Sequence, residues 1–246
     1  MSDLNFSIVT VSFNSEKTIA TTIESVLNQT YNNFEYIIID GKSGDNTLAI
    51  IESYRDKFVA KGVSLNVVSE SDNGIYDAMN KGITLAKGDF VGLVNSDDFY
   101  ELDALANVND FYTANNFDVM FADLKIFDKN SSFIKKARFD DKFRKRHWNH
   151  PTMFVRRSIY DVRKYACQTI FDDLDFMLWL VAHKKEYKIL TLAKTISNFR
   201  RGGVSGEKSW KQSMQRVKLA NQIFKQNGMK GYKLENFLTE VAKFVL

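Results

Sequence analysis

The stretch FSIVTVSFNSEKTIATTIESVLNQTYNNFEYIIIDGKSGDNT, residues 6–47, contains a strand, a helix and a second strand in succession. Its apolar runs FSIVTVSF and FEYIIID are short and rich in β-branched residues, which is typical of buried strands. Between them, apolar residues recur at helical spacing from Ile19 to Leu27, and Ser15 precedes them as the expected helix cap. This order of elements predicts a parallel β-α-β unit.

The same alternation continues outward along the chain. It predicts a helix at 47–54, a strand at 65–68, a helix at 76–86 and a strand at 90–94. Beyond residue 100 it predicts strands at 119–127, 133–139 and 189–192, helices at 158–165 and 174–182, and two closing helices separated by a break at 228–231. We therefore expect an α/β fold in which a mostly parallel central sheet is flanked by helices and followed by C-terminal helices.

The composition is that of one globular domain. The chain has 246 residues, a net charge of +4 and a single cysteine, Cys167, so no internal disulfide is expected. The longest apolar runs fall far short of the ~20 residues that span a bilayer. The first residues lack the basic head and small-residue cleavage site of a secretory signal. We expect a cytoplasmic protein.

Charge is distributed unevenly along the chain. Residues 1–100 carry 7 Lys and Arg against 14 Asp and Glu, whereas residues 201–246 carry 9 against 3. The acidic part suits a metal ion and a polar ligand. For the basic C-terminal helices we keep two interpretations, a contact with anionic lipid at the inner face of the plasma membrane and an ordinary solvated surface.

Three polar clusters follow predicted strands. They are Asp40–Thr47, Glu70–Gly74 and Asn95–Asp98. Ligands bind in doubly wound sheets at loops that follow the carboxyl ends of the strands, so the three clusters are expected to meet in one binding site. Each cluster taken alone is also typical of an ordinary turn.

The tetrapeptide Asn95-Ser96-Asp97-Asp98 comes directly after an apolar strand. Two carboxylates at this point are costly to bury unless a cation meets them, and hard divalent cations prefer oxygen ligands. We therefore expect a divalent cation here. The structural alternative for Asp98 is that it caps a helix running through Leu105.

Six segments, taken in order, resemble the GT-A glycosyltransferases of family 2, which are inverting enzymes that use nucleotide sugars. They are IVTVSFN (8–14), IIIDGKSGDNT (37–47), SESDNGIYDAMNKGITLAKGD (69–89), LVNSDD (93–98), HPTMFVRRS (150–158) and DDLDFMLWL (172–180). The resemblance implies a GT-A domain at 1–205, with a nucleotide-binding half at 1–100 and an acceptor-binding half at 101–205, and a helical extension at 206–246. It also implies a divalent metal cofactor, Mn²⁺ or Mg²⁺.

The resemblance places the nucleotide sugar at the loops after the first four strands. Its expected contacts in this chain are Val11, Phe13, Asn14, Asp40, Asp72, Asn95, Ser96 and Asp97, with Asp97 and Asp98 at the metal. Many relatives have a second Asp at Gly41 and a Gly at Lys42, which affects base recognition. Asn95 replaces the first carboxylate of the family's DxD motif, and this lowers the negative charge of the metal site.

An inverting transfer needs a base that takes the proton of the acceptor hydroxyl. In the family this base is the second acid of a motif that falls on Asp172-Asp173 here, so the resemblance implies Asp173 as catalytic base, with Asp172 on the acceptor side. The alternative for both residues and for Asp175 is an acidic first helical turn that complements the helix dipole. We favour that alternative for Asp175 only.

Three further residues are implied on the acceptor or diphosphate side. His150 is expected to face the acceptor, and a hydrogen-bonding histidine in a turn is the alternative. Zinc binding by His147 and His150 fails on ligand number. Arg200 and Arg201, followed by Gly202, Gly203, Val204 and Ser205, resemble the family's GGxS segment and suggest a lid over the diphosphate, or else a surface turn.

Together these features predict an inverting, metal-dependent glycosyltransferase. We expect a UDP-sugar donor and a glycan or polyprenyl-linked acceptor in bacterial cell-surface polysaccharide synthesis. The alternatives are a non-catalytic nucleotide- or sugar-binding module of the same fold and a metal-dependent phosphohydrolase, although Lys42 occupies the place of the latter's second Asp. The basic stretch Lys135–Arg146 contains Phe139 and Phe143, which leaves nucleic-acid binding as a weak alternative, and we expect no nucleic-acid partner.

Overall fold

A computed structural model describes residues 3–140, 143–202 and 209–245. Its strands are β1 (Phe6–Ser12), β2 (Phe34–Asp40), β3 (Leu65–Ser69), β4 (Phe90–Leu93), β5 (Phe99–Tyr100), β6 (Val119–Phe127), β7 (Ser132–Lys135), β8 (Phe154–Arg156) and β9 (Ile189–Arg200). Its α-helices are α1 (Ile19–Leu27), α2 (Thr47–Glu52), α3 (Arg55–Lys61), α4 (Ile75–Leu85), α5 (Ala104–Asn115), α6 (Arg157–Val162), α7 (Asp172–Ala182), α8 (Trp210–Gln226) and α9 (Lys233–Val245). Short 3-10 helices lie at Lys145–His147 and His150–Thr152.

The strands form one mixed sheet. Its order is β3-β2-β1-β4-β8-β6-β9-β5, and β7 pairs with β6 at the side. β1 pairs in parallel with β2 and β4, β2 with β3, and β6 with β9. β8 is antiparallel to both β4 and β6, so those two strands point the same way. β5 and β7 are antiparallel to their neighbours.

The expectation of a mostly parallel sheet is therefore confirmed for β1, β2, β3, β4, β6 and β9, which share one direction, and is corrected by three short opposing strands. Helical crossovers separate β1 through β4 and return the chain in the same direction. β8 instead enters from the irregular segment before it and fills the gap between β4 and β6. The carboxyl ends of six strands consequently share one edge of the sheet.

Both faces of the sheet are covered. On β1 and β2, Val9 and Ile37 belong to the core formed with α4 and α7, whereas Ile8 and Ile38 belong to the core formed with α1, α3 and α5. This alternation explains why the parallel strands are continuously apolar in sequence. A Cβ on Gly82 would lie 2.3 Å from Cγ1 of Val9, so glycine permits α4 to approach β1 closely.

Three local predictions are corrected. The side chain of Ser15 does not cap α1, because its main-chain oxygen accepts the Ile19 N–H while its hydroxyl donates to Phe13 O. Asp98 does not cap a helix, because it is followed by β5 and the next helix begins at Ala104. The strand predicted at 133–139 is shorter, and ends at Lys135.

The two C-terminal helices form a layer of their own. Ile223 and Phe224 of α8 are buried in the core that also contains α7. On α9 the arrangement is reversed, because Asn236 and Glu240 are each only 2% exposed while the apolar side chains face outward. Those outward side chains are Leu234, Phe237 and Leu238, at 69%, 40% and 53% exposure. Within the described parts of the chain, no helix has the length and apolar character needed to cross a membrane.

Candidate functional site

The carboxylate of Asp40, at the end of β2, is buried and accepts several hydrogen bonds. The strand register places Ser12 of β1 and Ser69 of β3 on either side of it. Ser12 Oγ donates to Asp40 Oδ1 at 3.1 Å, and Ser69 Oγ donates to Oδ2 at 2.7 Å. Ser43 donates its N–H to Oδ2 at 2.9 Å and its hydroxyl to Oδ1 at 2.5 Å. The carboxylate is fully buried, so it fixes the three loops around it.

Next to Asp40 there is a close contact between three residues, Phe13, Gly41 and Asp72. A Cβ on Gly41 would lie 2.6 Å from Asp72 Oδ2 and 3.3 Å from Cδ2 of Phe13. Phe13 is 64% exposed, although its neighbour Val11 is buried. Asp72 Oδ1 accepts the Gly74 N–H at 2.9 Å, which holds the carboxylate in place. The result is an exposed aromatic face beside a fixed carboxylate, at the ends of β1, β2 and β3.

The loop after β1 is hydrogen-bonded to the loops after β2 and β4. Asn14 has a φ of 49°, its N–H donates to Ser43 Oγ at 2.8 Å, and its Oδ1 accepts the Gly44 N–H at 2.9 Å. The hydroxyls of Ser15 and Ser96 lie 2.7 Å apart, which joins the ends of β1 and β4. Lys42 also has a left-handed φ, of 62°.

The Asn95–Asp98 segment presents its two carboxylates differently. Asp98 is fully buried, with Oδ1 accepting the Arg200 N–H at 3.0 Å and Oδ2 accepting from Asn95 Nδ2 at 3.5 Å. Burial and the neighbouring Asp97 charge raise the pKa of Asp98 well above its usual value. Asp97 is partly exposed, and Arg200 Nε donates to its main-chain oxygen at 3.4 Å. Arg200 ends β9 at the same edge of the sheet.

A divalent cation at Asp97 stays a prediction. Burial raises the pKa of this carboxyl, and the positive charge of Arg200 offsets the rise only in part, so a cation would stabilise the carboxylate further. Among the described residues, no three His, Cys, Asp or Glu side chains are grouped to hold a metal. A cation at Asp97 therefore needs oxygen ligands from a bound phosphate or from water.

Asp173 lies in the first turn of α7 and contacts the other half of the domain. Tyr76, at the start of α4, donates its hydroxyl to Asp173 Oδ1 at 2.9 Å across 97 residues of sequence. The Leu174 N–H donates to the same oxygen at 2.8 Å. Burial and the Asp173 charge raise the pKa of Tyr76, so its hydroxyl remains a donor. Because Asp72 lies three positions before the start of α4, the loop that carries Asp72 continues directly to Tyr76, the partner of Asp173.

His150 lies within electrostatic reach of Asp173. Its Nε2 is 3.0 Å from the hydroxyl of Tyr165, which is buried. Burial lowers the pKa of His150, and the charge of Asp173 opposes this shift. The expected acceptor-side position of His150 is therefore close to the expected base.

The other acids of this motif have structural partners. Asp172 is buried and accepts hydrogen bonds from the N–H groups of Gln168 and Thr169, at 2.9 and 2.8 Å. Asp175 pairs with Arg163 at 2.5 Å and accepts from Asn227 Nδ2 at 2.8 Å. Of the three carboxylates, only that of Asp173 lies beside Tyr76.

Arg201 is placed apart from Arg200. Its guanidinium lies 3.7 Å from Asp128 Oδ2 and 4.9 Å from the centre of the Phe133 ring, beside the turn between β6 and β7. The lid expectation for Gly203, Val204 and Ser205 lies outside the described residues.

Sequence reasoning missed several residues of the site. Tyr76 stood inside a quoted motif, and its aromatic hydroxyl near two acids was a usable signal. The serines around Asp40 gave no signal until the strand register was known. Lys135, which lies near Asp173, was noticed only as part of a basic stretch.

A mixed sheet that gathers polar loops at one edge is the architecture expected of a GT-A glycosyltransferase. The family model for glycosyl transferase family 2 matches residues 7–171, and the chain belongs to this family. A PGL/p-HBAD biosynthesis glycosyltransferase of Mycobacterium tuberculosis is 31% identical over 157 residues, which are 63% of this chain and 60% of that protein. The UDP-Glc:alpha-D-GlcNAc-diphosphoundecaprenol beta-1,3-glucosyltransferase WfgD of Escherichia coli is 31% identical over 131 residues, which are 53% of this chain and 50% of WfgD.

Solved structures share the fold. Residues 1–349 of Staphylococcus aureus TarS, in complex with UDP, superpose with a TM-score of 0.68 at 20% identity, over 95% of this chain and 70% of that one. The mannosyltransferase PcManGT of Pyrobaculum calidifontis, in complex with GDP-Man and Mn²⁺, gives a TM-score of 0.68 at 14% identity, over 100% of this chain and 75% of that one. The sequence matches span about 60% or less of the curated relatives.

Proposed function

We propose that the chain is an inverting, metal-dependent glycosyltransferase that moves a sugar from a nucleotide donor to an acceptor hydroxyl. The observation that carries this proposal is the Tyr76–Asp173 hydrogen bond. It holds a carboxylate from the second half of the domain beside the loop of Asp72, at the edge where the first four strands end. A donor bound along that edge has its sugar between the nucleotide loops and this carboxylate.

The nucleotide would occupy the edge of β1, β2 and β3. The exposed ring of Phe13 offers a stacking face for the base, and the fixed carboxylate of Asp72 accepts hydrogen bonds from its polar edge. The proposed nucleotide site would also be lined by Val11, Asn14, Asn95 and Ser96. Asp40 would support these residues without contacting the nucleotide, because its carboxylate already accepts hydrogen bonds from Ser12, Ser43 and Ser69.

The diphosphate would lie toward Asp97 and Arg200. A cation bound at Asp97 supplies Lewis-acid stabilisation of the leaving diphosphate. The Arg200 side chain adds positive charge at the same place. A metal role for Asp98 stays a prediction that requires its carboxylate to leave the Arg200 N–H. Contacts of Arg201 and Asp172 with the substrates also stay predictions.

Asp173 would act as the base. Its carboxylate takes the proton of the acceptor hydroxyl while that oxygen bonds to the anomeric carbon and the bond to the diphosphate oxygen breaks. The bonding electrons leave with the nucleoside diphosphate, so the configuration inverts. His150 would hydrogen-bond the acceptor, and burial, which lowers its pKa, favours the neutral imidazole.

UDP is our choice of nucleotide and a glycan or lipid-linked glycan our choice of acceptor. TarS has been solved with UDP and with UDP-GlcNAc, and the name of WfgD gives a UDP-Glc donor and a diphosphoundecaprenol acceptor. These names support a role in bacterial cell-surface polysaccharide synthesis at the inner face of the plasma membrane.

The outward face of α9 would rest on that membrane. Leu234, Phe237 and Leu238 form its exposed apolar surface. Residues 209–241 carry six Lys and Arg (Lys211, Arg216, Lys218, Lys225, Lys230 and Lys233) against Glu235 and Glu240, so the surroundings complement anionic lipid. Flotation with phosphatidylglycerol vesicles checks this, with Leu234→Ser/Phe237→Ser expected to lose binding. Equal flotation of that variant, or an apolar face buried in a dimer, contradicts it.

The decisive experiment is nucleotide release from a panel of UDP-, GDP- and dTDP-sugars, with and without Mn²⁺ or Mg²⁺. We expect release with a UDP-sugar, loss of release with chelator, and a product of inverted anomeric configuration by NMR. Asp97→Asn should raise the metal concentration needed for half-maximal release. A retained configuration, or release unaffected by chelator, contradicts the proposal.

A further inference from the structure

Tyr165 connects α4 to His150. It lies between α6 and α7 and is buried, and its hydroxyl is 3.0 Å from His150 Nε2. One side chain of α4 holds its main chain, since Asn80 Oδ1 accepts the Tyr165 N–H at 3.1 Å and Asn80 Nδ2 donates to the Tyr165 carbonyl oxygen at 2.8 Å. The imidazole also contacts the ring of Trp148, with 5.9 Å between ring centres. The hydroxyl therefore reaches His150 from a fixed main chain.

The same helix holds the expected base. Tyr76 and Asn80 are four positions apart on α4, so they lie on one side of it. Tyr76 donates its hydroxyl to Asp173 Oδ1 at 2.9 Å. The rings of Tyr76 and Tyr165 are in contact, with 5.3 Å between their centres. A continuous series of contacts therefore runs from Asp173 through the two tyrosines to His150.

The chemistry of the two groups decides which of them donates in the bond between Tyr165 and His150. A phenol is a stronger acid than the N–H of a neutral imidazole, and the unprotonated ring nitrogen is a stronger acceptor than a phenol oxygen. The Tyr165 hydroxyl therefore donates to His150 Nε2. Because a neutral imidazole carries one proton, that proton then lies on Nδ1. The ring is half-buried, and Nδ1 is the nitrogen left for a substrate.

We propose that Tyr165 is a positioning residue that fixes His150 in the tautomer with its proton on Nδ1, so that His150 donates a hydrogen bond to an oxygen of the acceptor. The inference rests on the proposed function, which puts His150 on the acceptor side. It assigns the acceptor an oxygen that accepts a hydrogen bond, such as a second hydroxyl or an ether oxygen of a sugar, close to the hydroxyl that Asp173 deprotonates. Asn80 supports this arrangement by holding the main chain of Tyr165.

Nitrogen NMR of the chain labelled with ¹⁵N-histidine tests the tautomer without any substrate. The chain has three histidines, and His183 gives an internal reference, because its Nδ1 lies 2.8 Å from the carbonyl oxygen of Trp179 and must carry the proton there. At about pH 8, where a neutral imidazole is expected, His150 should likewise show a protonated Nδ1 and an unprotonated Nε2. The variant His150→Gln identifies its signals. A wild-type His150 protonated on Nε2 overturns the proposal before any further variant is made.

Removing the hydroxyl should change the tautomer. Tyr165→Phe keeps the ring, and His150 should then shift toward the form protonated on Nε2, which an imidazole side chain prefers in water. The matched control is Tyr36→Phe, because the hydroxyl of Tyr36 is also buried and lies 2.9 Å from one side-chain oxygen, that of Thr10, in the core formed with α1, α3 and α5. The control should leave the His150 signals unchanged. Equal His150 signals in Tyr165→Phe and in the wild-type chain contradict the role of Tyr165.

Kinetics separate a positioning role from a structural one. The probes are UDP-glucose and octyl N-acetyl-α-D-glucosaminide, chosen after the donor and acceptor in the name of WfgD. Tyr165→Phe should raise the KM for the acceptor about fivefold, the loss of about one hydrogen bond, and leave the KM for the donor unchanged. In a His150→Gln background the same substitution should have no further effect on this KM, because the group that Tyr165 positions is gone.

Equal effects of Tyr165→Phe in the two backgrounds would make Tyr165 a packing residue and overturn the proposal. If the chain does not turn over this pair of probes, the NMR result decides alone. A failed proposed function would show itself independently, as Asp173→Asn with undiminished turnover.

Discussion

The loops after β1 to β4 are fixed by short polar side chains whose positions follow from strand register, whereas the surroundings of Asp173 are assembled from elements far apart in sequence. On the nucleotide edge, Ser12 and Ser69 flank Asp40 because parallel strands are paired in register. On the acceptor edge, Asp173 depends on Tyr76 from α4, 97 residues away. The first edge is a property of the sheet, and the second is a property of tertiary packing.

This difference has a functional consequence. A nucleotide diphosphate is a common ligand, and a site formed by strand ends suits a task that many proteins share. The proposed acceptor edge depends on side chains of α4 and α7, so it can differ between relatives without disturbing the sheet. Changes at the two edges should therefore affect different kinetic constants.

The largest effect is expected at the base. Asp173→Asn keeps the size of the side chain and removes its ability to take a proton, so kcat should fall by about a thousandfold. The matched control is Asp175→Asn in the same helical turn, which breaks the Arg163 pair and should lower stability while kcat stays within a few-fold. Initial rates of nucleotide release and thermal unfolding measure both. Similar losses of kcat in the two variants would contradict the assignment of Asp173.

A smaller effect, on the KM for the donor alone, is expected on the nucleotide edge. In Gly41→Ala the added methyl would lie 2.6 Å from Asp72 Oδ2, so Asp72 or Phe13 must move. We expect the KM for the donor to rise about tenfold, with the KM for the acceptor unchanged. Gly44→Ala is the control, because nothing lies within 4 Å of its added Cβ. Equal behaviour of the two variants would remove Gly41 and Asp72 from the donor site.

Removing one hydroxyl from the acceptor edge should act on kcat. Tyr76→Phe deletes the hydrogen bond to Asp173, and kcat should fall about threefold to tenfold. Initial rates of nucleotide release measure this fall. Tyr54→Phe, which breaks a 2.8 Å bond to Glu24 far from the site, is the control. A kcat equal to that of the Tyr54→Phe control would make Tyr76 a packing residue only.

The smallest effect is expected at Lys42. Its φ of 62° is unfavourable for a residue with a Cβ, so Lys42→Gly should stabilise the fold by about 0.5–1 kcal/mol after allowance for glycine's greater freedom when unfolded. Lys42→Ala keeps the unfavourable backbone and removes the ammonium. Chemical unfolding separates the two, and a donor KM that changes alike in both variants would show that the ammonium contacts the donor. A Gly variant no more stable than the Ala variant contradicts the backbone explanation.

Sequence predicted the first four strands to within a few residues, because β1, β2 and β4 are buried on both faces and so are continuously apolar. Of the helices between them it predicted α1, α2 and α4 and missed α3. It did not predict β5 or β8, which have two and three residues and are too short for any period to be visible. The opposing direction of these strands depends on distant partners, and so the mixed character of the sheet was missed.

The candidate site was predictable to a similar degree. The residues at the ends of β1 to β4 could be named, because a parallel sheet brings those ends together. The inward orientation of Asp98 could not, because it depends on the Arg200 N–H, 102 residues away. Asp173 was named through its resemblance to a family motif, and composition alone could not separate it from Asp172 and Asp175.

β8 is the described strand that joins β4, in the proposed nucleotide half of the sheet, to β6, in the proposed acceptor half, and it has three residues. Phe154 of β8 fills the space above Gly92 of β4, where an added Cβ would lie 2.7 Å from its ring. His150 lies four residues before this strand. Substitutions around this three-residue strand can change the orientation of the proposed acceptor half while the registers of β1 to β4 persist. New acceptors can evolve in this way without a change in the proposed nucleotide site.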